Sequence, residues 1–247
     1  MELTPIKGLP VLAAKTEDGR HFLVLSDIHL GLASRMGMKR PLPEEEVSEV
    51  CRTVDSARCI TGARSLIILG DLKHGLFMPN VHERKALRSL TERLAGNFKE
   101  VWIVKGNHDY GIDDTVDSRI KMIGKGGLEL DGVAFIHGHS LPRMSNDLRS
   151  YDAIVTGHIH PQLQLSGEWK PVWLFLKGGV RTRPRKVVVL PHFNKYASRA
   201  SYRPGPPATL APFMARLEID RYIYEMWDLD LNKMAEGEAS AIVHVRE

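Results

Sequence analysis

The sequence predicts an α/β fold with its functional site at one edge of a sheet, and three observations carry that expectation. Five short apolar runs, Phe22 to Leu25, Leu66 to Leu69, Val101 to Val104, Val133 to Ile136 and Ala153 to Val155, lack polar alternation, the pattern of strands buried on both faces. Helix-like segments separate the early runs. Each run leads into a short polar motif: Asp27-Ile28-His29, Gly70-Asp71, Gly106-Asn107-His108-Asp109, His137-Gly138-His139 and Gly157-His158-Ile159-His160. Residues placed just past the carboxyl ends of such strands converge on one edge of the sheet.

Taken in order, the run from Phe22 delivers Asp27 and His29. Pro43 followed by Glu44, Glu45 and Glu46 then starts a helix with acids in its first turn, and Val47, Val50, Cys51 and Val54 recur at helical spacing. Cys51 and Cys59, the only cysteines, lie eight residues apart on it. A rise of about 1.5 Å per residue along a helix keeps them too far apart for a disulfide. A second helix runs from Val81 to Leu94 with Leu87, Leu90 and Leu94 on one face, and Gly96 ends it. Both read as packing layers. A shorter helix over Val116 to Ile123 precedes the glycine turn Gly124 to Gly127. Beyond His160, Val172 to Leu176 and Val187 to Leu190 read as strands, and Arg216 to Ile219 with Tyr222 to Leu229 as a closing hairpin around Asp220-Arg221. Between them His192 to Pro212 is a long irregular stretch, and loops of that kind are functional or disordered. The whole chain, 1–247, fits one domain with a motif core over 22–161 and a basic strand and loop region over 169–217.

The motifs hold six of the eleven histidines. Carboxylate, imidazole and amide are the donors that Mn, Fe or Zn accept without any cysteine, so the series points to a metal site. Phosphodiester hydrolysis asks for such a site. Two divalent ions about 3.5–4 Å apart clamp the phosphoryl oxygens and lower the pKa of a shared water. His108, one residue past a candidate ligand, can face the substrate and protonate the leaving oxygen, with Asp109 fixing its tautomer. In His137-Gly138-His139 either imidazole can reach a metal. His74, in Gly70-Asp71-Leu72-Lys73-His74, can support the site or be a plain surface residue.

The order of these motifs resembles the calcineurin-like metallophosphoesterases over residues 22 to 161. That resemblance implies a four-layer αββα sandwich, two β-sheets flanked by helices, holding two metal ions, manganese foremost with zinc or iron as alternatives. It implies Asp27, His29 and His160 as ligands of one ion, Asn107, His137 and His158 as ligands of the other, and Asp71 as the bridge. His139 is then left to contact substrate. Ser26-Asp27-Ile28-His29-Leu30-Gly31, the second motif and Leu190-Pro191-His192-Phe193-Asn194 resemble a compact SbcD-related group that is common in archaea and similar to the ligase- or helicase-associated endonucleases PdeM and MPE. This narrower resemblance implies a nuclease with a DNA helicase or ligase as partner and a role in DNA repair.

Charge adds a substrate class. The formal net charge is only +4, yet no Asp or Glu occurs from Trp169 to Leu217, where ten lysines and arginines fall. Arg181, Arg183, Arg199 and Arg203, with Phe193, Tyr196 and Tyr202 interleaved, suit a nucleic acid whose bases stack. A small molecule, a cyclic nucleotide, a dinucleotide or a phosphorylated metabolite, is the alternative substrate. The 43% hydrophobic content supplies a full core, and with no membrane span or signal-peptide pattern a cytoplasmic protein is expected, with a homodimer plausible by edge pairing. The scarcity of glutamine beside 26% charged residues is a bias of heat-adapted proteins.

Overall fold

The computed structural model describes residues 1–35, 43–140, 147–179, 182–197, 213, 214, 217 and 221–239. Its first sheet has six strands in sequential order: β1 (Glu2–Pro5), β2 (Leu12–Lys15), β3 (His21–Leu25), β4 (Ser65–Ile68), β5 (Glu100–Val104) and β6 (Lys121–Ile123). Strands β3 to β6 run parallel, so β3, β4 and β5 end on the same side. The second sheet has β7 (Leu128–Leu130), β8 (Val133–Ile136) and β9 (Ala153–Thr156). A two-stranded ribbon, β10 (Gln162–Leu165) and β11 (Glu168–Pro171), follows, and β12 (Trp173–Gly178), β13 (Lys186–Val189), β14 (Tyr222–Trp227) and β15 (Lys233–Glu238) complete the second sheet in the order β15-β14-β12-β13-β9-β8-β7. Strands β8, β9 and β13 are parallel.

The burial of consecutive residues explains why these strands read as unbroken apolar runs. Phe22 and Val24, Ile67, and Trp102 and Val104 point into the core between the sheets, where they meet Val133, Phe135, Val155, Trp173 and Phe175 from the second sheet. The alternate residues Leu23, Leu25, Leu66, Ile68, Val101 and Ile103 face outward beneath the helices. A strand with an apolar layer on each side needs apolar residues at every position.

Helices α2 (Pro43–Thr61) and α3 (Val81–Asn97) supply that outer layer, through Val47, Val50, Cys51 and Val54 and through Leu87, Leu90 and Leu94; a short helix, α1 (Leu32–Arg35), precedes them. Asn80 and Glu83 form a capping box at the start of α3. Gly96 lies inside this helix, which ends where Phe98 turns extended, so the expected glycine stop is replaced by the extended backbone of Phe98. Cys51 is buried and Cys59 exposed, and both are free thiols. On the outer face of the second sheet, among the described residues, the cover comes from Leu148 and Tyr151 around a 3-10 turn with Phe213, Met214, Leu217 and Ala239.

Two expected elements are corrected. The region 116–123 is not a helix, because it turns at 118–120 and Lys121–Ile123 join the parallel sheet as β6 beside β5. The closing hairpin forms one strand later: β14 pairs with β12 and with β15, and its turn is held by Asp228 accepting from the backbone N–H of Asn232 at 2.8 Å. Residues 216 and 218–220 lie outside the described residues, as does 198–212 of the irregular stretch. Among the described residues no helix is long and apolar enough to cross a membrane.

Candidate metal centre

Past the strand ends the backbone continues to pair. The N–H groups of Asp27, His29 and Leu30 donate to the carbonyls of Gly70, Asp71 and Leu72, which binds the loop after β3 to the loop after β4. The loop after β9 enters the same space because Gly157 has no side chain: a Cβ there would lie 1.8 Å from Ser26 Oγ and 2.8 Å from Asp27 Oδ2. Gly106 admits Asp71 in the same way, since a Cβ would lie 2.2 Å from Asp71 Oδ1. The motif glycines are thus places where backbone meets a ligand-bearing loop.

Asp27, His29, Asp71, His158 and His160 have φ of 59°, 47°, 55°, 67° and 50°, the left-handed region that residues with a Cβ avoid. Conformations of this kind cost about 1–3 kcal/mol each and persist where surrounding structure imposes them. Here the cross-loop hydrogen bonds impose them, and the result is side chains turned inward at one point.

Two groups of donors form there, each with its ligand atoms all within 4.8 Å of one another: Asp27, His29 and His160, and Asp71, His137 and His158. His160 Nε2 is 3.1 Å from Asp27 Oδ1 and 3.3 Å from His29 Nε2. Asn107 Oδ1 adds to the second group at 3.2 Å from His137 Nε2. Asp71 Oδ2 sits between the groups, 3.3 Å from His137 Nε2 and 3.7 Å from His29 Nε2. His139 belongs to neither group; its half-buried ring lies 5.2 Å from that of His137.

Electrostatics mark the cluster as a place for cations. Burial opposes the charge of Asp27, yet His160, His137 and His29 hold its carboxyl far below the usual range, and His137 and His29 do the same for Asp71. Burial works against a charged His137 too, but Asp71 and Asp27 push it up to about 9. Burial and neighbouring imidazoles lower His29 to about 3 and His158 to about 4, so both rings are neutral at pH 7. Two buried carboxylates with the neutral imidazoles of His29 and His158 offer oxygen and nitrogen donors only, a set that fits divalent ions.

His108 stands beside these two groups and forms a third with His29 and His74. Its Nε2 is 3.9 Å from Asp71 Oδ2, its N–H donates to Asp71 Oδ1 at 2.9 Å, and its Nδ1 is 2.5 Å from the His74 carbonyl. That last contact corrects the expected role of Asp109. The Asp109 carboxylate is buried and accepts from the backbone N–H of Asp71, Leu72 and Gly106 at 2.7, 2.8 and 2.9 Å. It locks the β4 and β5 loops together, and the His74 carbonyl fixes the imidazole tautomer instead. His74 itself is no plain surface residue: its ring stacks on that of His108 at 5.5 Å, and it groups with His29 and His108.

Three residues that sequence reasoning left without a role position this site. Lys73 is fully buried, and its Nζ donates to the carbonyls of Gly75, of Phe77 at 2.8 Å and of His108 at 2.5 Å. Asn194 donates from Nδ2 to the carbonyls of Ile28 and His29 at 3.0 and 3.1 Å, and the buried His192 ring lies 5.4 Å from that of His160. Burial and His160 lower His192 to about 4. The Leu190 to Asn194 segment was visible as a motif, but its contacts with the first loop were not. Lys73→Met should keep the shape and strand the carbonyls. The expected loss is about 2 kcal/mol, a fall in melting temperature of about 4–8 °C, with metal content retained; unchanged melting would show that the staple is dispensable.

The sequence profile of calcineurin-like phosphoesterases matches residues 20–224, which include all five motifs. The chain belongs to that family. This phosphoesterase is similar in fold to the crystal structure of Pseudomonas putida nuclease MPE, with 18% identity, a TM-score of 0.57, and coverage of 94% of this chain and 100% of that one. It also aligns with YfcE, a phosphoesterase from E. coli, at 19% identity and a TM-score of 0.38, over 88% of this chain and 98% of that one. No curated protein sequence matches it.

The basic region of the phosphoesterase is partly neutralised in three dimensions. Arg183, offered as a nucleic-acid contact in a stretch without acids, pairs with the distant Asp152 at 2.6 Å; Lys177 pairs with Glu225 at 2.6 Å and Lys195 with Glu49 at 2.9 Å. Phe193 is half-buried and packs against the core beneath the helices. Arg181, Arg199, Arg203 and Tyr202 lie outside the described residues.

Proposed function

We propose that this phosphoesterase is a nuclease, hydrolysing phosphodiesters of DNA or RNA with manganese as its native metal. The observation that carries a hydrolytic site is the pair of buried donor groups on either side of Asp71, with His108 Nε2 facing the same carboxylate. Asp27, His29 and His160 would hold one ion and Asn107, His137 and His158 the other, with Asp71 shared. Such ions, when bound, supply Lewis acidity for the phosphoryl oxygens and a lowered pKa for water.

The chain's own groups do the rest. With Nδ1–H donated to the His74 carbonyl, His108 keeps Nε2 toward the substrate side, where it carries the proton that a poor alkoxide leaving group needs. Lys73 and Asp109 hold the loops that bear His108 and Asp71. The acid-free stretch over 169–217 supports a polyanionic substrate, and the Pseudomonas protein, a nuclease of the same fold, is consistent with it. A cytoplasmic location and association with a DNA helicase or ligase are proposed on resemblance alone. A small-molecule phosphodiesterase is the second reading, favoured by the pairing of Arg183, Lys177 and Lys195 with acids.

Salt separates them. Each phosphate neutralised on a single strand contributes about 0.7 log units of affinity per decade of salt. Changing Arg181, Arg199 and Arg203 together to Gln should flatten the slope for an oligonucleotide by about 2 units per decade. An unchanged slope, in protein that still turns over a simple aryl phosphodiester, would favour the small-molecule reading.

A further inference from the structure

Exposed apolar side chains are concentrated beside the metal centre. Of the nine large hydrophobic residues exposed among the described residues, five are Leu76, Phe77, Met78, Val81 and Tyr110, with Phe77 79% and Tyr110 66% accessible. They lie on two joined segments. Lys73 Nζ ties the carbonyls of Phe77 and His108, and Met78 Sδ packs against Gly111, so closely that a Cβ there would lie 2.2 Å from the sulfur. Phe77 follows His74 by three residues and Tyr110 follows His108 by two, and the His74 and His108 rings are themselves stacked. Arg84 Nε, donating to the Pro79 carbonyl at 3.0 Å, sets a guanidinium beside the first of these segments.

A contiguous apolar patch left in water beside a polar site marks a surface for a ligand. We infer that Phe77 and Tyr110 form a stacking platform for the nucleobase on the leaving-group side of the scissile phosphate. This rests on the reading of the site as one that cleaves phosphodiesters, in which His108 serves the leaving oxygen. A group attached to that oxygen leaves past His108, whose backbone Lys73 ties to that of Phe77 and which Tyr110 follows by two residues. A nucleobase has the flat apolar face such a surface accepts whatever the sequence, whereas sugar and phosphate do not. Arg84 supplies positive charge for the next phosphate.

The test compares two substrate pairs on manganese-loaded protein: a single-stranded oligodeoxynucleotide against one of equal length with abasic residues, and thymidylyl-thymidine against the same dinucleotide lacking its leaving-side base. In the parent, kcat/KM should favour the base-bearing member of each pair about ten-fold. In Phe77→Ala/Tyr110→Ala that ratio should fall to about one, and Phe77→Trp/Tyr110→Trp should restore it. Both residues are exposed, so the variants retain their packing. Cleavage by the parent without base preference overturns the platform and leaves the nuclease reading standing. A preference seen only with the dinucleotide supports the platform and overturns the nuclease. Cleavage of neither pair overturns both. A parent dimer that the alanine variant converts to monomer would make these segments a contact between copies of this chain and overturn the platform.

Discussion

Asp71→Asn should strip the phosphoesterase of both metal ions and leave activity near background. Asparagine keeps the shape of the side chain but removes a negative charge that faces both donor groups, with Oδ2 3.3 Å from His137 Nε2 and 3.7 Å from His29 Nε2. Asp71 is 1% exposed, so water cannot replace that charge. The same carboxylate, with Asp27, pushes His137 up to about 9 against the effect of burial. The variant therefore loses the proposed shared ligand and much of the negative charge of the cluster. Elemental analysis should find well below two ions per chain. Full occupancy would place the bridge elsewhere.

His108→Ala should do the reverse, keeping its metals and losing turnover. Both donor groups remain intact, because His108 Nε2 is 3.9 Å from Asp71 Oδ2 and the group that includes Asp71 closes on His137 and His158 without it. On a nucleic acid, whose alkoxide leaves poorly, the loss should be about 10²–10⁴-fold, the usual worth of a positioned proton donor. An aryl phosphodiester leaves without a proton, so its loss should be smaller. Equal losses on the two substrates would assign His108 to binding or to stabilising phosphoryl oxygens. His74 offers a control for tautomer, because its backbone carbonyl, which no side-chain substitution removes, holds His108 Nδ1.

Much of this was legible because metal chemistry and buried strands both leave local marks. A strand covered on two faces is apolar at every position, so Phe22 to Leu25 and Leu66 to Leu69 stood out, and short-range motifs carried the ligand types. The α2 and α3 helices were legible from spacing and from the acids after Pro43. Where the signal was weaker the reading failed. The stretch 116–123 mixes polar and apolar residues in a way that suits a helix, but Lys121–Ile123 pair with β5 because an open parallel edge offers more hydrogen bonds than an isolated turn.

The sequence by itself determined the family, the sandwich of apolar strands and the inventory of donors: two aspartates, an asparagine and the motif histidines at the ends of β-runs. Only the tertiary structure decided how they act together. It placed His137 rather than His139 with Asp71, gave Asp109 to three backbone N–H groups and His108 to the His74 carbonyl, and put the fully buried Lys73 beneath both loops. It also paired Arg183 with Asp152, thirty-one residues away, and left Phe77 and Tyr110 exposed on segments that Lys73 ties together. The physical reason is range. Donor type and strand burial are set by each residue and its near neighbours, whereas tautomer, charge neutralisation and exposure depend on which distant backbone and carboxylates the fold brings within a few ångströms.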